Sequence, residues 1–165
     1  MTTLPMANGG AGAFHWSPVA GGLFAFDGNQ LRSLHPMHLH TWYSIYVVTS
    51  GSVRLWCRDR EWVATPGMVV LLSPYETHAE FYSPFEGCSF RGVYPIHARL
   101  RAVLGDSLDA RSFLRFRHPV LDEPGLAAKV LVLCESLRSA GVQRRGESVL
   151  SASRRGGRVK RARRR

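Results

Sequence analysis

Between Gly22 and Tyr94, short runs of β-branched and aromatic residues alternate with Gly, Pro, Asn and Asp. The runs are Gly22–Phe26, Trp42–Thr49, Ser52–Cys57, Glu61–Ala64, Met68–Leu72, His78–Tyr82 and Cys88–Tyr94. The breaks fall at Asp27-Gly28-Asn29, Ser50-Gly51, Arg58-Asp59-Arg60, Pro66-Gly67, Ser73-Pro74 and Ser83-Pro84. Many short strands at such spacing predict a sandwich or closed barrel, not a parallel α/β sheet. Phe113–His118 reads as one more strand. Two segments change period. Ile96–Leu104 predicts a short helix ending at Gly105. Glu123–Ala140 predicts a longer one, because Leu126, Val130, Leu133 and Leu137 recur at steps of four, three and four and so form one stripe. Asp122 caps its start, Pro124 suits its first turn, and Gly141 marks its end. The small, Gly-rich stretch 1–12 predicts a fraying N-terminus. The expected order is therefore a flexible 1–12, a mainly β barrel over 13–120, a helical segment over 121–143, and a tail over 144–165.

Composition narrows the class. A chain of 165 residues with 45% hydrophobic content suits one globular domain. The longest apolar run, Gly67–Leu72, is far shorter than the ~20 residues of a membrane-spanning helix, so none is predicted. No basic segment precedes an apolar stretch at the start, as a secretory leader requires. Cys57, Cys88 and Cys134 are odd in number and widely spaced, which predicts reduced thiols and a cytoplasmic location.

The net charge of +10 changes the picture only once it is located. Residues 1–143 carry 12 Lys/Arg against 11 Asp/Glu, whereas 144–165 carry ten basic residues and only Glu147 as an acid. The folded part is nearly neutral and offers no electrostatic case for gripping nucleic acid. From Ser151 onward no apolar periodicity is present, and the basic tail is predicted to be disordered. Three readings of the tail stand open: a nonspecific nucleic-acid arm with salt-sensitive grip, an inert solvated end, or the product of a frame change or early stop in a longer gene. The last is favoured, because Arg-, Gly-, Ser- and Ala-rich sequence is what a shifted frame through GC-rich codons yields.

Candidate chemistry lies in two stretches. The first is His35-Pro36-Met37-His38-Leu39-His40, followed by a strand. On continuous extended chain, His38 and His40 share a face with Trp42, Ser44 and Tyr46. His35, before Pro36, reads as a turn residue. The second is Pro66-Gly67, the strand Met68–Leu72, and then Pro74-Tyr75-Glu76-Thr77-His78, which returns His78 toward the barrel mouth. Trp16, Trp42, Tyr46, Trp56 and Tyr82 are candidates to stack on a sugar or ring face. His38, His40, His78 and Arg91 are candidates to orient hydroxyl or carboxylate groups.

This layout resembles the two motifs of the cupin superfamily, in which HxH and a glutamate precede a glycine, and PG opens a second motif ending in histidine. The Pro-Gly, the apolar run Met68–Leu72 and the Pro-x-x-x-His turn narrow it to a likeness with the effector domain of AraC/XylS-type transcriptional regulators. Phe113–Val120, Leu121-Asp122-Glu123-Pro124 and the amphipathic helix after them are also similar to that family. The resemblance spans roughly residues 20–140. It implies a double-stranded β-helix that binds a small-molecule effector without metal, is not an enzyme, and pairs through its helices. Leu126, Val130, Leu133 and Leu137 would then pack on the barrel and contact a second copy. A homodimer, or a mixed dimer with a full-length regulator, is the expected assembly. Regulators of this type continue into two helix-turn-helix units; none follows here, so no specific DNA contact is expected of this chain.

One departure keeps an alternative open. The glutamate expected four or five residues after His40 is replaced by Ser44 or Ile45, and neither Glu76 nor Glu80 occupies its position. His38, His40 and His78 alone still suffice for Zn²⁺ or Fe²⁺ with an open coordination position. The alternative is thus a free-standing metal-dependent cupin enzyme, an oxygenase or isomerase.

Overall fold

The computed structural model describes residues 12–19, 22–104 and 114–156, with only the backbone described at 17–19 and 141–156. Ten strands precede the long C-terminal helix: β1 (Ala13–Val19), β2 (Leu23–Leu31), β3 (Leu34–His38), β4 (Ser44–Gly51), β5 (Val53–Cys57), β6 (Arg60–Ala64), β7 (Val69–Leu72), β8 (His78–Tyr82), β9 (Cys88–Pro95) and β10 (Val120–Leu121). Helix α1 (His97–Leu104) follows β9, and α2 (Pro124–Gly156) follows β10.

The pairing is nested about one turn. β5 pairs with β6, β4 with β7, β3 with β8 and β2 with β9, all antiparallel. A two-stranded ribbon is thus rolled on itself, and the β4–β9 and β5–β8 pairings close it into sheets ordered β1-β2-β9-β4-β7-β10 and β3-β8-β5-β6. That is the double-stranded β-helix of a cupin-like jelly roll, as the sequence led us to expect. The turn at its centre is Arg58-Asp59, with φ of 56° and 57°. Two left-handed residues twist a hairpin in the sense its strands require. Asp tolerates this conformation; Arg58 does so while its side chain is held by Glu76 and by two backbone carbonyls.

Two apolar layers result. Between the sheets lie Phe26, Tyr46, Val48, Leu55, Val70, Leu72, Tyr82 and Phe90. Behind the larger sheet, Val47, Val69, Leu71 and Val93 meet Ala127, Val130 and Cys134 of α2. Both faces of β4 and β7 are therefore covered, which explains why they read as unbroken apolar runs instead of alternating. Gly92 lies where a Cβ would sit 2.4 Å from the Ile45 carbonyl oxygen and 2.6 Å from the Phe26 ring. Its bare backbone lets the inner aromatic residues close over the sheet.

Several boundaries differ from expectation. Asp27-Gly28-Asn29 is no break: β2 runs through it, with a register shift between Gly28 and Leu31 and φ of 52° at Gln30. The strand expected at Phe113–His118 is displaced. Phe113 lies outside the described residues, 114–118 are irregular, and the strand is Val120–Leu121, paired with β7. The carbonyls of Phe116 and Arg117 go to Arg58 instead of a ladder. Gly105 also lies outside the described residues. α2 does not stop at Gly141 but continues through Gly156, over the first part of the stretch assigned to a disordered tail. A mid-helix glycine costs only about 1 kcal/mol and terminates nothing unless the chain turns left-handed there. Residues 1–11 and 157–165 lie outside the described residues.

The apolar stripe of α2 is also rotated from the expected one. At about 100° per residue, Ala127, Val130 and Cys134 centre on the sheet, with Leu126, Leu131 and Leu137 packed at the flanks. Leu133 falls outside this layer at 40% exposure, beside Val132 at 66%. No helix among the described residues is long and apolar enough to cross a membrane.

Candidate ligand site

His38 closes β3 opposite His78, the first residue of β8. The chain then leaves the smaller sheet, crosses through 39–43, and enters the larger sheet at Ser44. The expected single strand carrying His38, His40, Trp42, Ser44 and Tyr46 on one face is therefore interrupted. The crossing is tied down at its ends. Tyr75 N–H donates to the His40 carbonyl at 2.7 Å, and Tyr43 N–H to the Pro95 carbonyl at 3.2 Å. This tether, not strand parity, brings His40 to the other two histidines.

The three rings meet. Their centroids lie 4.3 Å (His38–His78), 4.8 Å (His38–His40) and 5.1 Å (His40–His78) apart. One ring nitrogen from each lies within 4.8 Å of the others. His38 Nδ1 is 2.7 Å from the Pro36 carbonyl oxygen, and His78 Nδ1 is 2.8 Å from that of Glu76. A carbonyl can only accept, so both Nδ1 atoms carry the proton, and in the neutral form of each ring Nε2 presents a lone pair. His78 is 1% exposed, and its Nε2 is buried without a hydrogen-bond partner among the described residues. Burial, reinforced by His78 and His38, lowers His40 to a pKa of about 3. Burial also lowers His78, against the opposing pull of the Glu80 charge. His40 and His78 are therefore neutral at physiological pH.

Beneath it sits a carboxylate that the sequence reading had set aside. Glu80 is buried, accepting hydrogen bonds from Tyr46 Oη at 2.6 Å and Tyr82 Oη at 2.8 Å, with His35 Nδ1 at 3.3 Å. Burial would raise it, but the His35 hydrogen bond, the His78 and His35 charges and the Tyr46 hydroxyl hold it well below the usual carboxylate range. Burial and the Glu80 charge push both tyrosines well above theirs. His35 is thus more than a turn residue. A bulge between His35 and His38 inserts an extra residue into β3 and turns both histidines inward.

The candidates distribute unevenly. Trp42 stacks on His40 at 5.4 Å and 14°. Tyr94, which the sequence reading missed, lies 5.7 Å from Trp42 and 6.1 Å from His40, and stacks on Phe26 at 3.9 Å. Tyr46 and Tyr82 are buried one layer deeper, their hydroxyls committed to Glu80. Trp16 packs on Phe24 at 6.0 Å, with no described contact to the histidines. Two candidates fall outside the barrel interior. Trp56 alternates with buried Leu55 and Cys57 and so faces outward from the smaller sheet. Arg91 lies opposite Asp27 and Val47, on the face of the larger sheet that α2 covers. There Arg138 of α2 donates to Asp27 at 2.7 Å.

Three imidazole nitrogens, two oriented by backbone carbonyls, also fit a transition metal of the Zn²⁺ or Fe²⁺ type. Among the described residues no carboxylate joins the set; the oxygens of Glu80 are taken by two tyrosines and His35.

A rolled β-ribbon with three imidazoles gathered where the chain crosses between its two sheets defines a cupin-like domain. The chain belongs to the AraC-like ligand binding domain family, whose family model matches residues 20–153. No curated protein matches it. Solved structures similar to it include a Rhizobium leguminosarum protein of unknown function, with 18% identity over 59% of this chain and 98% of that one, at TM-score 0.47. A cupin superfamily protein from Desulfitobacterium hafniense shares 10% identity, covering 56% and 84%, at TM-score 0.45. The polyketide cyclase RemF from Streptomyces resistomycificus shares 28%, covering 44% and 52%, at TM-score 0.38.

Proposed function

We propose that the mouth formed by His38, His40, His78, Trp42 and Tyr94 is the effector site of a transcriptional-regulator sensor domain that is not an enzyme. The observation that carries this is the buried, unpartnered Nε2 of His78 at the convergence of the three rings. Lone pairs on imidazoles accept, so the favoured ligand donates hydroxyl hydrogens and offers a flat face to Trp42 and Tyr94. The buried charge of Glu80 disfavours an anion, and Arg91, which the sequence offered for a carboxylate, lies on the α2 side. A neutral polyol or phenol is the ligand class these features support.

Binding would act by population shift, limited by the ligand's differential affinity for the two states. The readout would pass to a homodimer, or to a mixed dimer with a full-length regulator, in the cytoplasm. Among the described side chains of α2, Leu133 and Val132 are the large exposed apolar ones available for that contact. The domain itself would read no base sequence.

A thermal-shift screen of neutral sugars, phenols, carboxylic acids and metal salts tests the reading. A ligand at 100 times its Kd adds about 2.7 kcal/mol of stability. Stabilisation by a neutral hydroxyl compound, lost in His78→Ala, supports the proposal; a response confined to anions and unaffected by His78→Ala contradicts it.

The same unpartnered Nε2 favours a second reading, a metal centre held by His38, His40 and His78. Zn²⁺ or Fe²⁺ there would supply a Lewis acid. Stoichiometric metal in untagged protein, lost in His40→Ala, would select this reading over the first.

A further inference from the structure

The polar contacts of His78 do not end in the site; they continue through the 73–76 turn and Arg58 to the segment that leads into α2. The carbonyl of Glu76 holds His78 Nδ1 at 2.8 Å. The Glu76 carboxylate is held in turn by Arg58 Nε through one oxygen and by Ser73 N–H, at 3.1 Å, through the other. Arg58 also donates from Nη1 to the Arg117 carbonyl at 2.8 Å and from Nη2 to the Phe116 carbonyl at 2.6 Å. Ser73 closes the loop, because its Oγ accepts Phe116 N–H at 3.1 Å. Three residues after Phe116, the Pro119 carbonyl accepts Leu71 N–H at 2.9 Å, and β10 and α2 follow.

We infer that Arg58 is a positioning residue that couples occupancy of the histidine mouth to docking of the 114–119 segment, and so to the setting of α2; this rests on reading that mouth as the effector site. The segment is irregular, and its carbonyls at 116 and 117 are satisfied by one side chain from a hairpin tip in the other sheet. It has two available arrangements, docked on Arg58 and Ser73 or released to water. A ligand on His78 Nε2 polarises the ring, strengthens the Nδ1–H bond to the Glu76 carbonyl, and so steadies the turn on which Arg58 is seated. Coupling of this kind is reciprocal: release of the segment must weaken binding by the same factor. The position of Arg58 argues for the role. It adopts a left-handed conformation in which its fork spans three acceptors on two separate segments, a geometry that Lys, with one compact ammonium, cannot reproduce.

Hydrogen exchange of the full chain, with Zn²⁺ alone as probe, tests this. Three converging lone pairs accept Zn²⁺ whether or not it is the natural ligand. In the wild type, Zn²⁺ is expected to protect amides at 38–40 and 76–79 and also to slow those at 114–127 by at least about fivefold. In Arg58→Ala and Arg58→Lys, protection at the histidines should persist while 114–127 exchanges fast and ignores Zn²⁺. Arg58→Lys supplies the answer if Arg58→Ala does not fold. Protection at the histidines with no change at 114–127 in the wild type, or the same change surviving in both variants, overturns the coupling but leaves the site standing. Absence of any Zn²⁺ effect at 38–40 and 76–79 overturns both.

Discussion

Tyr46 donates a 2.6 Å hydrogen bond from the larger sheet to Glu80 on the smaller one, joining the two walls of the barrel directly beneath the histidines. Tyr82 donates to the other carboxylate oxygen at 2.8 Å, and His35 approaches that same oxygen at 3.3 Å. The barrel floor is thus a buried anion with all its partners in place, and the site above inherits its field.

A hydrogen bond to a buried charge contributes about 1.5–3 kcal/mol. Tyr46→Phe is expected to lower stability in urea unfolding by about 2 kcal/mol. Because Tyr46 and Tyr82 serve one carboxylate, the double Phe variant should depart from the sum of the singles. A neutral Tyr46→Phe would mean that the bond does not bear on the fold.

Acidification should destabilise the metal-free domain through His40. His40 falls from 6.5 in the unfolded chain to about 3 in the folded one. Between those values the unfolded state binds the extra proton, so stability rises with pH and is lost as pH drops below 6.5. Urea midpoints at pH 5 and pH 7.5, with chelator present, should differ in that sense, and His40→Gln should shrink the difference. A larger midpoint at pH 5 would contradict the burial of this ring.

The two sides of α2 separate packing from association. Val130→Asp places an unpaired charge against the larger sheet, where Val130 is 6% exposed, and should cost about 3–5 kcal/mol. Leu133→Asp should change thermal stability by less than about 0.5 kcal/mol. If α2 pairs copies of the domain, Leu133→Asp should convert dimer to monomer in light scattering. Equal losses of stability in both variants would place Leu133 against the barrel instead.

The sequence made seven strands legible because their apolar runs are bounded by Gly, Pro, Asn or Asp. β1 and β3 were not, since Pro18 and Pro36 lie within them and Pro argues against a strand interior. His35 and His38 are three residues apart, and simple alternation puts them on opposite faces; only the bulge reunites them. Glu80 was readable in principle, two residues from both His78 and Tyr82 on one strand. The sequence sets it aside only because it does not stand where the carboxylate after His40 is expected. Applied strictly, the same alternation excludes Trp56, which is out of step with Leu55 and Cys57, and Arg91, out of step with Phe90. It also includes Tyr94. The convergence of His40 could not be read, because it depends on a crossing between sheets pinned by Tyr75.

His38 and His78 each hold Nδ1–H on a backbone carbonyl, which leaves Nε2 as the ring atom free to meet a ligand. Long-range ¹H–¹⁵N correlation of the histidine rings reads this directly. It should show His38 and His78 as Nδ1–H tautomers at neutral pH, with both Nε2 resonances moving together when a ligand from the screen is added. Nε2–H tautomers, or ring signals indifferent to every ligand that stabilises the domain, would contradict it.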